Sequence, residues 1–216
     1  MAKLESVKLA RKSSTAGRRR RAVESFKTAA DCIGKIEPGM ALFAVTRGQF
    51  SMIDAVLHVL QELGPSTLTI WTWAIAEYEI ERFNALRDCG HVTGATLMID
   101  GSARERNAMP IASWRGRFGQ QSVRLVSNHA KIATVDNGSM KVLLRGSMNL
   151  NFNPRFEQLD VTEGGPDFDL VHEIESELPF LPMDVGYNEI TKASKTNVAF
   201  DTETLDMFKG MKVWAK

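Results

Sequence analysis

Apolar and polar positions fall into successive blocks along the chain, and the period of each block predicts an element. Residues 41–46, 67–73 and 95–100 are short apolar runs rich in β-branched and aromatic side chains and read as strands. Between them, residues 50–63 and 77–88 carry apolar side chains at helical spacing, the first helix stopping at Gly64-Pro65. An arginine-rich helical or irregular segment follows, then strands near 123–126, 129–135, 140–144 and 158–162. Residues 167–178 read as a helix with Leu170, Val171, Ile174 and Leu178 inward and its acidic residues outward. After Pro182 the periodicity is lost, and no internal repeat is evident. The alternation predicts an α/β fold with a mixed sheet flanked by helices.

Composition narrows the class. With 216 residues, 44% of them hydrophobic, the chain can bury one full core. Two cysteines in that length point to a reducing compartment without disulfides. The N-terminus lacks an apolar export core and no run approaches a membrane span, so the expectation is a cytoplasmic protein with no membrane partner. Charge is unevenly spread beneath a net +1. Residues 1–27 hold nine basic residues against two acidic ones, a net +7, which leaves −6 for the remainder. Ser13 to Gly17 followed by Arg18 to Arg21 reads as a flexible basic arm able to neutralise nucleic-acid phosphates. At the other end, residues 157–216 carry 13 acids against 5 lysines.

The densest chemistry lies in the middle. His129, Lys131 and Asp136 form HxKxxxxD, and Gly146, Ser147 and Asn149 complete GSxN. Six specified residues at near-fixed offsets arise by accident with a probability below roughly one in ten thousand. Histidine can act as nucleophile, acid or base near neutrality. Phosphodiester cleavage concentrates negative charge, which lysine, hydroxyl, amide and backbone N–H groups stabilise. On a strand, His129 and Lys131 share one face, leaving Ala130 and Ile132 to an apolar face suited to the core. Small residues at Gly146-Ser147 allow close backbone approach to an anion. Asp136-Asn137-Gly138 is a tight-turn signal, so Asp136 reads as structural and a hairpin is expected.

This pattern resembles the signature of the phospholipase D superfamily, over roughly residues 38–180. The resemblance implies a phospholipase D-like sandwich with one motif per chain, and metal-independent, cofactor-free phosphodiester hydrolysis through a phosphohistidine. It implies catalytic roles for His129, Lys131, Ser147 and Asn149, with Gly146 against the phosphate. A glutamate just downstream orients the histidine in such proteins, and Glu157 is the candidate, with Asp160 close enough to compete. The superfamily uses two histidines, yet His58, His91 and His172 have no lysine two residues on. A twofold homodimer that brings two copies of His129 together resolves this. The short dimeric bacterial nucleases of the superfamily are the nearest likeness. The implied organisation is a basic arm and linker over 1–37, the catalytic domain over 38–180 and an acidic extension over 181–216.

Substrate is argued from charge. Arg104, Arg106, Arg115, Arg117 and Arg124 interleave with Trp114 and Phe118, which suits a groove that tracks a phosphate backbone. Arg115, Arg117 and Arg155 are therefore candidate substrate-binding residues, making nucleic acid the expected partner. The competing reading places Trp114 and Phe118 on the inner face of a helix whose arginines face water, and Arg155 against an acid. Cys89-Gly90-His91 lacks the ligand count of a metal site. A lipid phosphodiesterase and a non-catalytic DNA-binding protein remain alternatives to the nuclease.

Overall fold

The computed structural model describes residues 19–23, 27–151 and 153–194. Among these residues, eight strands form one mixed sheet: β1 (Arg19–Val23), β2 (Met40–Thr46), β3 (Ser66–Thr72), β4 (Val92–Asp100), β5 (Val123–Val126), β6 (Lys131–Asp136), β7 (Lys141–Gly146) and β8 (Glu157–Glu163). Their spatial order is β1-β2-β8-β7-β6-β3-β4-β5. The outer pairs β1–β2, β3–β4 and β4–β5 run parallel, while β2–β8, β8–β7, β7–β6 and β6–β3 run antiparallel. The helices are α1 (Ala29–Ile33), α2 (Met52–Leu63), α3 (Glu77–Asp88), α4 (Ala108–Phe118), α5 (Pro166–Glu177) and α6 (Tyr187–Ser194). The α/β class with a mixed sheet is therefore as expected.

Strand periodicity divides the sheet into two unequal faces. Leu42, Ala44, Leu68, Ile70, Leu97, Ile99, Ala133, Val135, Val142, Leu144, Leu159 and Val161 share one face by register and enter a single core with helices α1 to α4. Phe83 meets Trp114 edge-on and Trp114 meets Phe118 at a tilt within that layer, at ring-centroid distances of 5.4 Å and 4.7 Å. Trp114 and Phe118 are thus helix-packing residues, and the aromatic groove expected along α4 does not form. The opposite face is covered in part by α5. Trp71 donates through Nε1 to Glu175 at 2.8 Å, Arg145 pairs with Asp167 at 3.0 Å, and Arg124 donates to the carbonyls of Glu175 and Leu178.

Several expectations need correction here. Glu175 of α5 is buried and points inward, where an exposed position was expected; Phe168 is the other buried residue of that helix. A hydrogen-bond donor on the sheet, Trp71, holds a carboxylate where periodicity suggests only aliphatic contacts. Arg19 to Arg21, expected in a flexible arm, lie in edge strand β1, while the basic residues up to Arg18 lie outside the described residues. Within the expected extension, Leu181, Met183 and Val185 pack against the core, Ile190 of α6 is fully buried, and Arg104 donates to the Val185 carbonyl. The hairpin between β6 and β7 forms as expected. Asp136 accepts from the Gly138 N–H at 2.7 Å, and Gly138 takes φ 86°, a conformation glycine adopts at no steric cost.

Candidate active site

Strand direction brings the motif to one rim of the sheet. The carboxyl ends of β2, β3, β4, β5 and β7 and the amino ends of β6 and β8 lie together, as the pairs Lys131↔Gly146, Thr46↔Glu157 and Trp71↔Ile132 establish. Ligand sites of α/β sheets commonly occupy this edge. Lys131 opens β6, Gly146 closes β7, and Glu157 opens β8, so three adjacent strands deliver His129, Lys131, Ser147 and Glu157 to the centre of the rim. The opening beside them is shallow, about 390 Å³, and is lined by Lys131, Arg145, Gly146, Ser147, Gln158 and Asp160.

His129 does not sit on the strand as expected. It precedes β6 and is exposed, as is Ala130, so the apolar partner face expected for Ala130 is not there; the core-facing residues of β6 are Ala133 and Val135. What holds His129 is the residue before it. Asn128 is buried; its side chain donates to the Thr72 carbonyl at 3.2 Å and accepts from the Ala130 N–H at 2.7 Å. Its backbone N–H donates to Asp100 at 2.7 Å, and Asp100 also accepts from the Ser102 N–H at 2.9 Å. These bonds tie the ends of β3, β4 and β5 to the loop carrying His129. Sequence reading missed both residues; the signal available was a polar residue at or just beyond the end of an apolar strand, Asp100 closing β4 and Asn128 two residues after β5.

Lys131 reaches back over the histidine. Its Nζ lies 3.3 Å from Nδ1 and 3.4 Å from Nε2 of His129 and donates to the His129 carbonyl at 2.8 Å. Imidazole and ammonium therefore meet at one point of the rim.

The second half of the motif is pinned by β8 and α2. Ser147 donates to Glu157 through its hydroxyl, accepts from the Gln158 N–H at 2.9 Å, and gives its own N–H to the Gln158 carbonyl at 3.1 Å. Asn153 also donates to Glu157, at 3.2 Å. Glu157 thus engages Ser147 and Asn153, whereas the ring contacts of His129 are with Lys131. Gly146 is demanded by the sheet: a Cβ there would stand 2.0 Å from the Gln158 carbonyl oxygen. Close backbone approach is real at this glycine, but the neighbour is β8. The Asn149 and Leu150 carbonyls accept from the first N–H groups of α2, Met52 at 3.1 Å and Ile53 at 3.5 Å. Those N–H groups are unpaired in an isolated helix, so α2 uses its own terminus to fix the motif loop. The Asn149 amide is half-buried with no hydrogen-bond partner among the described residues.

The arginines separate. Arg155 is exposed on the loop before β8, at the rim. Arg117 pairs with Asp88, the last residue of α3, and Arg87 of that same last turn donates to the carbonyls of Val92 and Thr93 at the start of β4. That places the C-terminal turn of α4, with Arg115 and Arg117, at the end of the sheet opposite His129. Both arginines therefore lie away from His129, where the sequence reading placed them with it. The other histidines are engaged elsewhere: His58 with the Gly34 carbonyl at 2.7 Å, His91 with Cys89 at 3.1 Å, and His172 with Glu175 at 3.7 Å.

No protein-family model matches this chain, and no curated protein matches it. Among solved structures, it is similar to a phosphatidylserine synthase of Haemophilus influenzae Rd KW20, with a TM-score of 0.46 and 11% sequence identity over 66% of this chain. The match spans 40% of the length of that protein.

Proposed function

We propose that this chain is a metal-independent phosphodiesterase of phospholipase D type, a nuclease that acts as a homodimer with one active site shared between two copies. The observation that carries the reading is the convergence of His129 and Lys131 at the start of β6 with Ser147 at the end of neighbouring β7, and Asn149 on the loop that leads from β7 to β8. In the proposed reaction a ring nitrogen of His129 attacks phosphorus, and the bond to the leaving oxygen breaks as that oxygen takes a proton from His129 of the second copy. Water then gives its proton to that second imidazole while its oxygen displaces the first from phosphorus, which restores both rings. Lys131 is placed to offset the charge on the non-bridging oxygens, and the Asn149 amide supplies a donor. Ser147 acts through its bond to Glu157, which holds the turn. The shallow, exposed rim around His129 supports sharing, because a second copy would close it against bulk solvent while leaving room for the attacking water.

The test is hydrolysis of p-nitrophenyl methyl phosphate and of labelled DNA in excess chelator. Wild type is expected to cleave both, with His129→Ala at least about 10⁴-fold slower, as for loss of a nucleophile in other enzymes. Equal rates in the two proteins would sink the mechanism. DNA binding without cleavage by either would move the assignment to a binding protein.

A further inference from the structure

Two arginine–aromatic pairs flank the His129 site along the same rim. On one side Trp73 follows the last residue of β3, and the Arg106 guanidinium lies 4.5 Å from its ring centroid. On the other, Phe156 precedes β8 and Arg47 follows β2, with the guanidinium 5.4 Å from the ring centroid. The core aromatics Phe83 and Trp114 are fully buried, whereas Trp73 is 39% and Phe156 71% exposed. These two rings contribute little to the core.

The Trp73 side is concave. A cleft of about 320 Å³ there is lined by Trp73, Ile75, Arg106, Asn107, Pro110 and Asn151. Asn151 belongs to the motif loop, two residues beyond Asn149, so the cleft adjoins the phosphate site. Glu79, also at its wall, is buried and accepts from the Ala76 N–H at 2.8 Å, which ties its carboxylate to the start of α3. Between β8 and β3 lie three strand spacings, or about 14 Å. A stacked strand advances about 3.4 Å per nucleotide, so the two rings match bases no more than about four positions apart.

We propose that the rim is a track for single-stranded nucleic acid, with Trp73 and Phe156 stacking bases on either side of the phosphate held at His129. The track rests on the proposed phosphate site at His129 as its centre and narrows its substrate. Each arginine covers part of an aromatic ring and carries N–H groups suited to phosphate, while an open part of the ring offers a surface to a base. Bases in a duplex are already stacked on their neighbours, which is why the pairs select single strands. An acyl chain offers no anion to the Arg106 guanidinium.

The experiment is fluorescence anisotropy of a labelled oligothymidylate of about 12 nucleotides in excess chelator, with every protein carrying His129→Ala so that the probe stays intact. Trp73→Ala and Phe156→Ala are each expected to weaken binding by between about 5- and 100-fold, the range of one base–aromatic stack. Trp73→Phe, which keeps an aromatic face, is expected to stay within about threefold, as one aromatic platform replaces another. Duplex of the same length is expected to bind more weakly and to respond little to either alanine. Unchanged oligothymidylate affinity in both alanine variants would overturn the track, whatever the wild-type protein cleaves. Loss of affinity in both, in a protein whose wild type hydrolyses no diester, would uphold the track and remove the catalytic reading.

Discussion

Asn128 shows how a short motif depends on residues outside it. His129 is exposed and lies off the strand, so its position derives from the buried amide beside it, which spans the ends of β3 and β6. Asn128→Ala should lower kcat toward a small diester by about 10- to 100-fold, the effect of a misplaced reacting group, with KM little changed. It should also cost about 1–3 kcal/mol of stability, because the Thr72 carbonyl and the Ala130 N–H lose the side-chain amide they pair with, while the backbone bond to Asp100 stays. Steady-state kinetics beside thermal unfolding separates the two effects; a fall in stability with kcat intact would reduce Asn128 to a structural role. At this scale the motif itself was legible, because its spacing is local and β6, the turn and β7 convert it directly into geometry. The contacts of Glu157 were not legible, since Ser147 and Asn153 compete for its carboxylate through a loop whose path is set by α2 and β8.

The elements were legible where one face is apolar and the other wet. Helix α3 and strand β5 lie where the periodicity puts them, and the remaining central strands begin and end within a few residues of expectation. Edge strand β1 was hidden because a run of arginines carries no alternation, and α5 was misread because its inner face meets Trp71 and Arg124 of the sheet as well as aliphatic contacts. That inner face has a consequence for stability. Burial raises the Glu175 carboxyl above the usual carboxylate range, while the Trp71 hydrogen bond and the His172 and Arg124 charges pull it back. Because the folded value exceeds the unfolded one, its contribution to stability is fully present below the unfolded value of about 4.3 and is lost as pH rises through the folded value. Glu175→Gln keeps an acceptor for Trp71 and should remove this dependence, so that the variant matches or exceeds wild type in urea unfolding at pH 7 and loses that advantage at pH 4. Parallel curves for the two proteins at both pH values would contradict the assignment.

Across the whole molecule, the sheet gathers distant segments at one rim, and this is the level at which sequence spacing says least. Trp73 with Arg106, and Arg47 with Phe156, meet only because β2, β3 and β4 end at the rim where β8 begins. The arginine–aromatic interleaving visible along α4 is instead the packing of one helix on another, with Arg117 paired to Asp88 at the far end of the sheet. The same gathering delivers one histidine to the rim from a chain that has four, and the proposed chemistry needs two. In the proposed dimer, a second copy related by a twofold axis supplies the other. The direct measurement is diester hydrolysis, in excess chelator, by a mixed dimer of wild type and His129→Ala, co-expressed with two different tags and purified through both. The shared site predicts activity below about one tenth of the wild-type dimer, since both histidines act on one phosphate. Half of the wild-type activity, or full activity in a protein that is only monomeric, would contradict it.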